Sequence, residues 1–488
     1  MALRLRALLI CLLIVQALPA LSAAAPASSA ASADASTAAN LKGGYSFSKG
    51  GWTYVHLQGT PGQIGFQHGY LLSAEIEDNQ HALKLEEEHS SGRDWAFFRN
   101  AAKDVLWPHI DAEYQAELNG IAAGLRAKGS SLDVWDIVAM NGNIELRDYY
   151  LPWLNKREHV AEASYKPVPQ LAAPGNCSAF IATGKATKDG KIVIAHNNWT
   201  SYIEGERWTV VFDIAPARGH RILMDGSPGL ITSQDDFGVN DAGIMVTETT
   251  ITQFVGWDSN GKPEFMRSRK ALQYATSIDE YAATMREGNN GGYANDWLIG
   301  DRKTGEIAYL ELGLKHTPMW RTRDGYFVSS NFPRDPALMR DEAPQFDAKN
   351  MAGSANARHV RWEQEMKQHQ GSIDIALAEQ FLADHDDTFT GKKTADQRSL
   401  CGHVDAAKGG VPEWDWAPYF PGGAVTGKVM DSDMAAKMSF TARAGHPCGE
   451  DFLAKPFLAA HPEFAWQAPA LHDMKAGPWT TFTKGQKL

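Results

Sequence analysis

Cysteine is scarce in this sequence, with 4 in 488 residues, which excludes a small module that substitutes disulfides for a core. No Lys/Arg run occurs, and 58 acidic residues against 47 basic leave a formal charge of -11, so a nucleic-acid partner is not expected. After the first 25 residues no apolar run is long enough to span a bilayer, which leaves at most transient contact with a membrane surface. No repeat of fixed period is found, which excludes a solenoid. What remains is a globular chain long enough to bury a large core.

The opening MALRLRALLICLLIVQALPALSAAA has a basic start, a short apolar centre and small residues at 22–24. This is the layout of a cleavable secretory signal over residues 1–24, and the expected destination is secreted or periplasmic. Residues 25–45 are rich in Ala and Ser and read as a disordered linker. In residues 46–176 the pattern is mostly helical: Ile110, Tyr114, Leu118, Ile121 and Leu125 recur at helical spacing and stop at Gly129. A Pro-rich run at 165–174 breaks that pattern. Strand signals follow at 178–183, 192–196, 208–214, 244–250, 297–301, 307–312 and 326–330, with helical stretches at 266–286, 355–369 and 373–384. Hairpin-length connections favour an α+β class over a doubly wound parallel sheet.

With Cys11 in the leader, Cys177, Cys401 and Cys448 remain, and three cannot all pair. Cys401 (LCGH) and Cys448 (GHPC) are the preferred disulfide; a zinc set of Cys401, His403, His446 and Cys448 is the lesser alternative, because its C-x-H and H-x-C spacing is uncommon. Cys177 is left over at the start of a strand. A hairpin turning at Lys188-Asp189-Gly190, with Thr183 paired to Gly190, sets Cys177 opposite His196, with Cβ atoms about 5 Å apart.

A cysteine thiol of ordinary pKa, about 8.5, needs a base to become a strong nucleophile. His196 is one candidate. The other is the residue's own α-amine, pKa about 7.7 to 8.0, which exists once the Asn176–Cys177 bond is cut. The thiol could cut that bond itself by attack on the preceding carbonyl and hydrolysis of the resulting thioester. Read alone, Cys177 is more simply a small buried hydrophobe; the export context, the leftover parity and the hairpin geometry count against that reading.

An ordered series of blocks carries a family resemblance: GTPGQIGFQHG, NCSAF, AHNNW, SQDDF with GIMVTETTI, VSSNFP, NARHVRW, SLCGHVD and VMDSDMAAKMSFTARAGHPCG. Together they resemble the phospholipase B-like proteins among the N-terminal nucleophile (Ntn) hydrolases, and the related autoproteolytic acyltransferase/hydrolase group. The resemblance implies an αββα sandwich of two antiparallel sheets covered by helices, cut before Cys177 into fragments 46–176 and 177–488 that share one domain. It implies Cys177 as nucleophile, with His196, Asn197 and Trp199 around it, Thr249 aimed at the site, Asn331 as oxyanion donor and Arg358 as a buried arginine. Ordinary core, turn or surface roles are the alternatives for each. Family members often carry Asp at the Asn197 position.

The implied activity is release of fatty acid from phospholipid esters, without metal or organic cofactor. An amidase or acyltransferase on N-acyl small molecules or peptides is the alternative, and an exported lipid-binding protein on an inactive scaffold is a further one. No feature sets an oligomeric state. His68 in FQHG reads as structural, the run Asp384-His385-Asp386-Asp387 as a solvated helix end, and the sequons at Asn176 and Asn198 as chance matches.

Overall fold

The alternation of side chains along each strand decides how this chain layers. In β3 (Ser178–Gly184), Ala179 and Ile181 enter one core cluster while Phe180 and Ala182 enter another. The strand is therefore buried on both faces. The computed structural model describes residues 36–157, 177–235 and 237–487. The leader, the Pro-rich run and Asn176 lie outside them. By contacts, residues 1–42 form a unit apart from Gly43–Leu488. In the first, residues 36–40 are helical, so the linker expected over 25–45 is not irregular throughout.

The described residues from 43 onward form two large sheets. The first has nine strands in the order β1 (Tyr45–Lys49), β2 (Trp52–Gly59), β5 (Val210–Pro216), β6 (Ile222–Gly226), β7 (Gly238–Asn240), β8 (Ile244–Thr250), β9 (Asn295–Asp301), β10 (Glu306–Leu312) and β11 (Met319–Thr322). All its pairings are antiparallel except β2 with β5. The second has six, all antiparallel, in the order β12 (Gly325–Ser329), β3, β4 (Gly190–Ser201), β15 (Gly422–Asp431), β16 (Ser439–Ala444) and β17 (Thr480–Thr483). A two-stranded ribbon, β13 (Asp386–Asp387) and β14 (Lys392–Lys393), lies apart.

One core cluster draws from both sheets, with Ile181, Ile194, Met430 and Phe440 of the six-stranded sheet against Val211, Val239, Met245 and Leu298 of the nine-stranded one. The opposite face of the six-stranded sheet is covered by the helices Ser354–Gln368 and Ile375–Leu382, through Trp362, Met366, Phe381 and Leu382. Helices Ala112–Ala127, Val134–Asn141 and Glu264–Tyr274 cover the nine-stranded sheet around Val55, Phe212 and Val246. The expected mixed α+β class holds.

The β3–β4 hairpin departs from the expected register. Gly184, not Thr183, pairs with Gly190, and a bulge between Ala182 and Gly184 adds a second step, so Ala179 faces His196 and Ser178 faces Asn197. The total slip is two residues. A slip of two keeps every side chain on its face, so Cys177 still shares a face with His196 while its neighbour along the ladder becomes Asn198.

The GTPGQIGFQHG block is explained by packing. Thr60 caps the helix Pro61–Leu71 in a capping box with Gln63, and proline occupies the first turn. The helix then approaches Ala112–Ala127 so closely that a Cβ on Gly65 would lie 1.9 Å from the Glu117 carbonyl oxygen. His68 Nε2 accepts the Gly229 N–H at 3.0 Å, and burial lowers its pKa to about 3, so it stays neutral. His68 is structural in this geometry. Gly65→Ala is expected to force these helices apart and destabilise the protein by about 2 kcal/mol or more, read as a fall in the urea midpoint at constant m-value.

Candidate functional site

Cys177 sits at the mouth of β3, 1% exposed and with φ +80°. Positive φ is unusual for a residue with a Cβ and stores of order 1–3 kcal/mol, at the residue that forms one side of the expected scissile bond. Its Sγ lies 3.8 Å from Asn198 Oδ1. Burial first, then the carboxylates of Glu248 and Asp235, hold its pKa well above the ordinary thiol value. In this state the group is a protonated thiol.

The same three surroundings decide what His196 can do. Ligand-type atoms of Cys177, His196 and Glu248 all lie within 4.8 Å of one another, and both His196 ring nitrogens are buried without a hydrogen-bond partner. Burial, aided by the Lys428 ammonium, lowers the His196 pKa to about 3. A ring that resists protonation so strongly is a poor base for a thiol. Beneath it, Lys428 pairs with Asp225 at 2.9 Å and with Asp235, while Ser233 Oγ donates to Asp225 at 2.9 Å. Burial opposes the charge on Lys428, but the two carboxylates hold its pKa above the ordinary value.

The Cys177 main chain is gripped from the other side of the sheet. Arg358, on the helix Ser354–Gln368, donates through Nη1 to the Cys177 carbonyl at 2.6 Å and through Nη2 to Asn331 Oδ1 at 2.7 Å. Its guanidinium lies over the Trp199 ring at 4.4 Å and the Trp414 ring at 5.5 Å. Burial brings its pKa down to about 9. Asn331, at φ +70°, donates its side-chain amide to the Thr250 carbonyl at 2.8 Å. Thr249 Oγ1 is 2.6 Å from Ser329 Oγ and accepts the Asn331 N–H at 3.4 Å. Arg358, Asn331 and Thr249 are thus one network that reaches Cys177 through its carbonyl.

The AHNNW residues divide between faces. Asn197 Nδ2 donates to the Leu382 and Leu400 carbonyls at 2.8 and 3.0 Å, and Trp199 Nε1 donates to the Leu400 carbonyl at 3.3 Å. Both face the helical layer and support the site from behind. Asn198, 2% exposed, faces Cys177, and its Nδ2 is a buried donor without a partner. Sequence reasoning missed Asn198, Glu248, Asp235 and Lys428. The first three stand inside quoted blocks and Lys428 directly before one, but only folding brings them together.

Cys401 and Cys448 are free thiols here, and the bond expected between them is not formed. His403 Nε2 stands 3.7 Å from Cys401 Sγ and 3.5 Å from Cys448 Sγ. His446 is turned away, with Nδ1 2.6 Å from the Ala424 carbonyl oxygen. Its place is taken by His385, whose ligand atom lies within 4.8 Å of those of Cys401, His403 and Cys448. The run 384–387 is therefore not a solvated helix end: Asp384 pairs with Arg361 and Asp387 with Arg398, each at 2.8 Å, and His385 points inward because its neighbours are so held.

No helix among the described residues is long and apolar enough to cross a membrane. Comparison with known proteins matches residues 79–309 to the family Phospholipase B. An uncharacterized protein of Archaeoglobus fulgidus is 22% identical over 288 residues, covering 53% of this chain and 43% of its own. "Phospholipase B-like protein C" of Dictyostelium discoideum is 22% identical over 378 residues, 64% of each chain. "Phospholipase B" of Crotalus adamanteus is 24% identical over 443 residues, 78% of this chain and 75% of the snake protein. The chain spans less than two thirds of the length of the first two relatives.

The two asparagines are separable by experiment. Asn197→Ala removes the hydrogen bond to the buried Leu382 carbonyl and one of the two that the Leu400 carbonyl accepts, and is expected to cost about 1–3 kcal/mol of stability, seen as a clear fall in melting temperature. Asn198→Ala removes a contact to Sγ and a donor without a partner, and is expected to melt within a few degrees of the parent.

Proposed function

We propose that this chain, which is similar to phospholipase B-like proteins over much of its length, is a hydrolase of lipid acyl esters whose nucleophile is Cys177, made competent by cleavage of the Asn176–Cys177 bond. The helix-covered pair of sheets supports an Ntn-hydrolase αββα reading. The leader supports export, to the periplasm or outside the cell. The observation that carries the mechanism is the pairing of a strained, buried Cys177 with a histidine unsuited to be its base. Asn176 itself lies outside the described residues.

Activation requires no second enzyme. Sγ attacks the Asn176 carbonyl carbon, the C–N bond breaks, and the thioester that replaces it leaves Cys177 with a free α-amine. Water then hydrolyses the thioester to the Asn176 carboxylate and the thiol. Positive φ at Cys177 and the Arg358 grip on its carbonyl fix the attacking residue for this step.

In turnover the α-amine takes the thiol proton, Sγ attacks the acyl carbonyl of the substrate, and the alcohol leaves with that proton. An acyl-thioester remains. The amine next deprotonates water, which attacks the thioester and releases the fatty acid. Asn198 Nδ2 is the donor best supported for the oxyanion, because the Asn331 amide is engaged by Thr250. Arg358, Asn331 and Thr249 position Cys177, and Asn197 and Trp199 hold the strand.

Intact-mass analysis is expected to find wild-type protein cut between Asn176 and Cys177 and a Cys177→Ala variant uncut. A panel of diacyl and lyso phospholipids against N-acyl amides is expected to show turnover of the esters; exclusive turnover of amides favours the amidase reading. On the preferred substrate kcat/KM should fall as pH drops through the α-amine pKa, near 8 when unperturbed, because the protonated amine cannot accept the thiol proton. Asn198→Ala should lose about 10²-fold or more in kcat.

A further inference from the structure

We propose that His385, Cys401, His403 and Cys448 form a zinc site that locks the wall behind the nucleophile. Two thiols and two imidazoles are a complete donor set for structural zinc. Their ligand atoms all lie within 4.8 Å of one another. A tetrahedron with Zn–S of about 2.3 Å and Zn–N of about 2.05 Å has S···N edges of about 3.6 Å. The two edges that meet at His403 Nε2 are 3.7 and 3.5 Å.

Other features point to a ligand rather than to chance proximity. His385 Nε2 is buried with no hydrogen-bond partner that meets ordinary geometry among the described residues, and the His385 ring stands against the Cys448 thiol, so the fold removes it from water and turns it toward the other donors. Asp405 Oδ1 stands 4.0 Å from His403 Nδ1 and accepts the Tyr202 hydroxyl at 2.7 Å, the place from which an outer carboxylate orients a ligating histidine. Arg361 and Arg398 hold the two carboxylates on either side of His385 and its neighbour, which keeps that loop in place.

The site joins segments distant in sequence: the loop after helix Ile375–Leu382, the 401–403 turn, and the segment after β16. Between the first two lies the support of the nucleophile. A Cβ on Gly402 would sit 1.9 Å from the Trp199 ring, so the 401–403 turn packs directly against the tryptophan over which Arg358 lies. Leu400 accepts hydrogen bonds from both Asn197 and Trp199. Zinc would fix the turn, and it would also keep two adjacent thiols from oxidising to a disulfide in an exporting compartment.

The test uses the full chain, isolated under non-reducing conditions and dialysed against metal-free buffer. Metal analysis is expected to give about one zinc per chain in wild type and in Cys177→Ala, and less than about a fifth of that in Cys448→Ser and in His385→Gln, whose half-buried positions tolerate exchange. Cobalt substituted for zinc should show the intense visible bands of tetrahedral thiolate ligation, absent in Cys448→Ser. Protein that stays metal-free after incubation with zinc sulfate, or peptide mapping that finds a Cys401–Cys448 disulfide in the folded chain, would overturn the proposal. Loss of zinc in Cys177→Ala would overturn it as well, by assigning the metal to the Cys177, His196 and Glu248 group.

Discussion

A buried guanidinium organises this structure. Among the described residues no carboxylate makes an ion pair with Arg358; it is held by the Cys177 carbonyl, the Asn331 amide oxygen, Ser354 Oγ and the faces of two tryptophans. Burying a cation without an anion is expensive, and its lowered pKa reflects that cost. The arrangement is tolerable only while all these partners stay in place. It therefore ties together the first residue of β3, the turn after β12, the helix Ser354–Gln368 and the walls carrying Trp199 and Trp414. Position at Cys177 is the product.

The six-stranded sheet divides this labour between its faces. One face looks into the space between sheets, where Cys177, His196 and Asn198 meet Glu248 and the Lys428–Asp235 pair. The other carries Ser178, Asn197 and Trp199, each hydrogen-bonded into the helical layer. Chemistry and support thus alternate residue by residue along the same strands, which is why a strand slip of one would exchange them and a slip of two does not. Raised thiol pKa and depressed imidazole pKa follow from the same dry interior. They make a thiol that waits for a base of its own.

Much of this was legible in sequence, unevenly. The α+β class and the strands at 178–183, 244–250 and 307–312 were clear, because β-branched and apolar residues run between turn signals there. Strand β15 was not, since three glycines and a lysine in GGAVTGKVMD read as a break; in the fold those residues lie buried between neighbouring strands, and Lys428 is satisfied by two aspartates. Cys177 stood out through parity and context. Its partners did not: the bulge that moves Asn198 in place of His196 beside Cys177 has no local signal, and Glu248, Asp235 and Lys428 come from other segments. His385 was hidden because the three aspartates around it look solvated until Arg361 and Arg398 are seen to hold all three.

The account rests on one residue serving as both attacker and proton acceptor, and labelling the active enzyme tests this directly. Purified, active protein would be titrated with a fatty-acyl chloromethyl ketone, which alkylates the nucleophile to a stable thioether, its amines dimethylated under denaturing conditions, and the labelled peptide sequenced by mass spectrometry. The prediction is a single peptide that begins at Cys177, with the ketone on sulfur and dimethyl on its own α-nitrogen, in an amount equal to the active sites lost. Label on a Cys177 still joined to Asn176, or on any other residue, would contradict it.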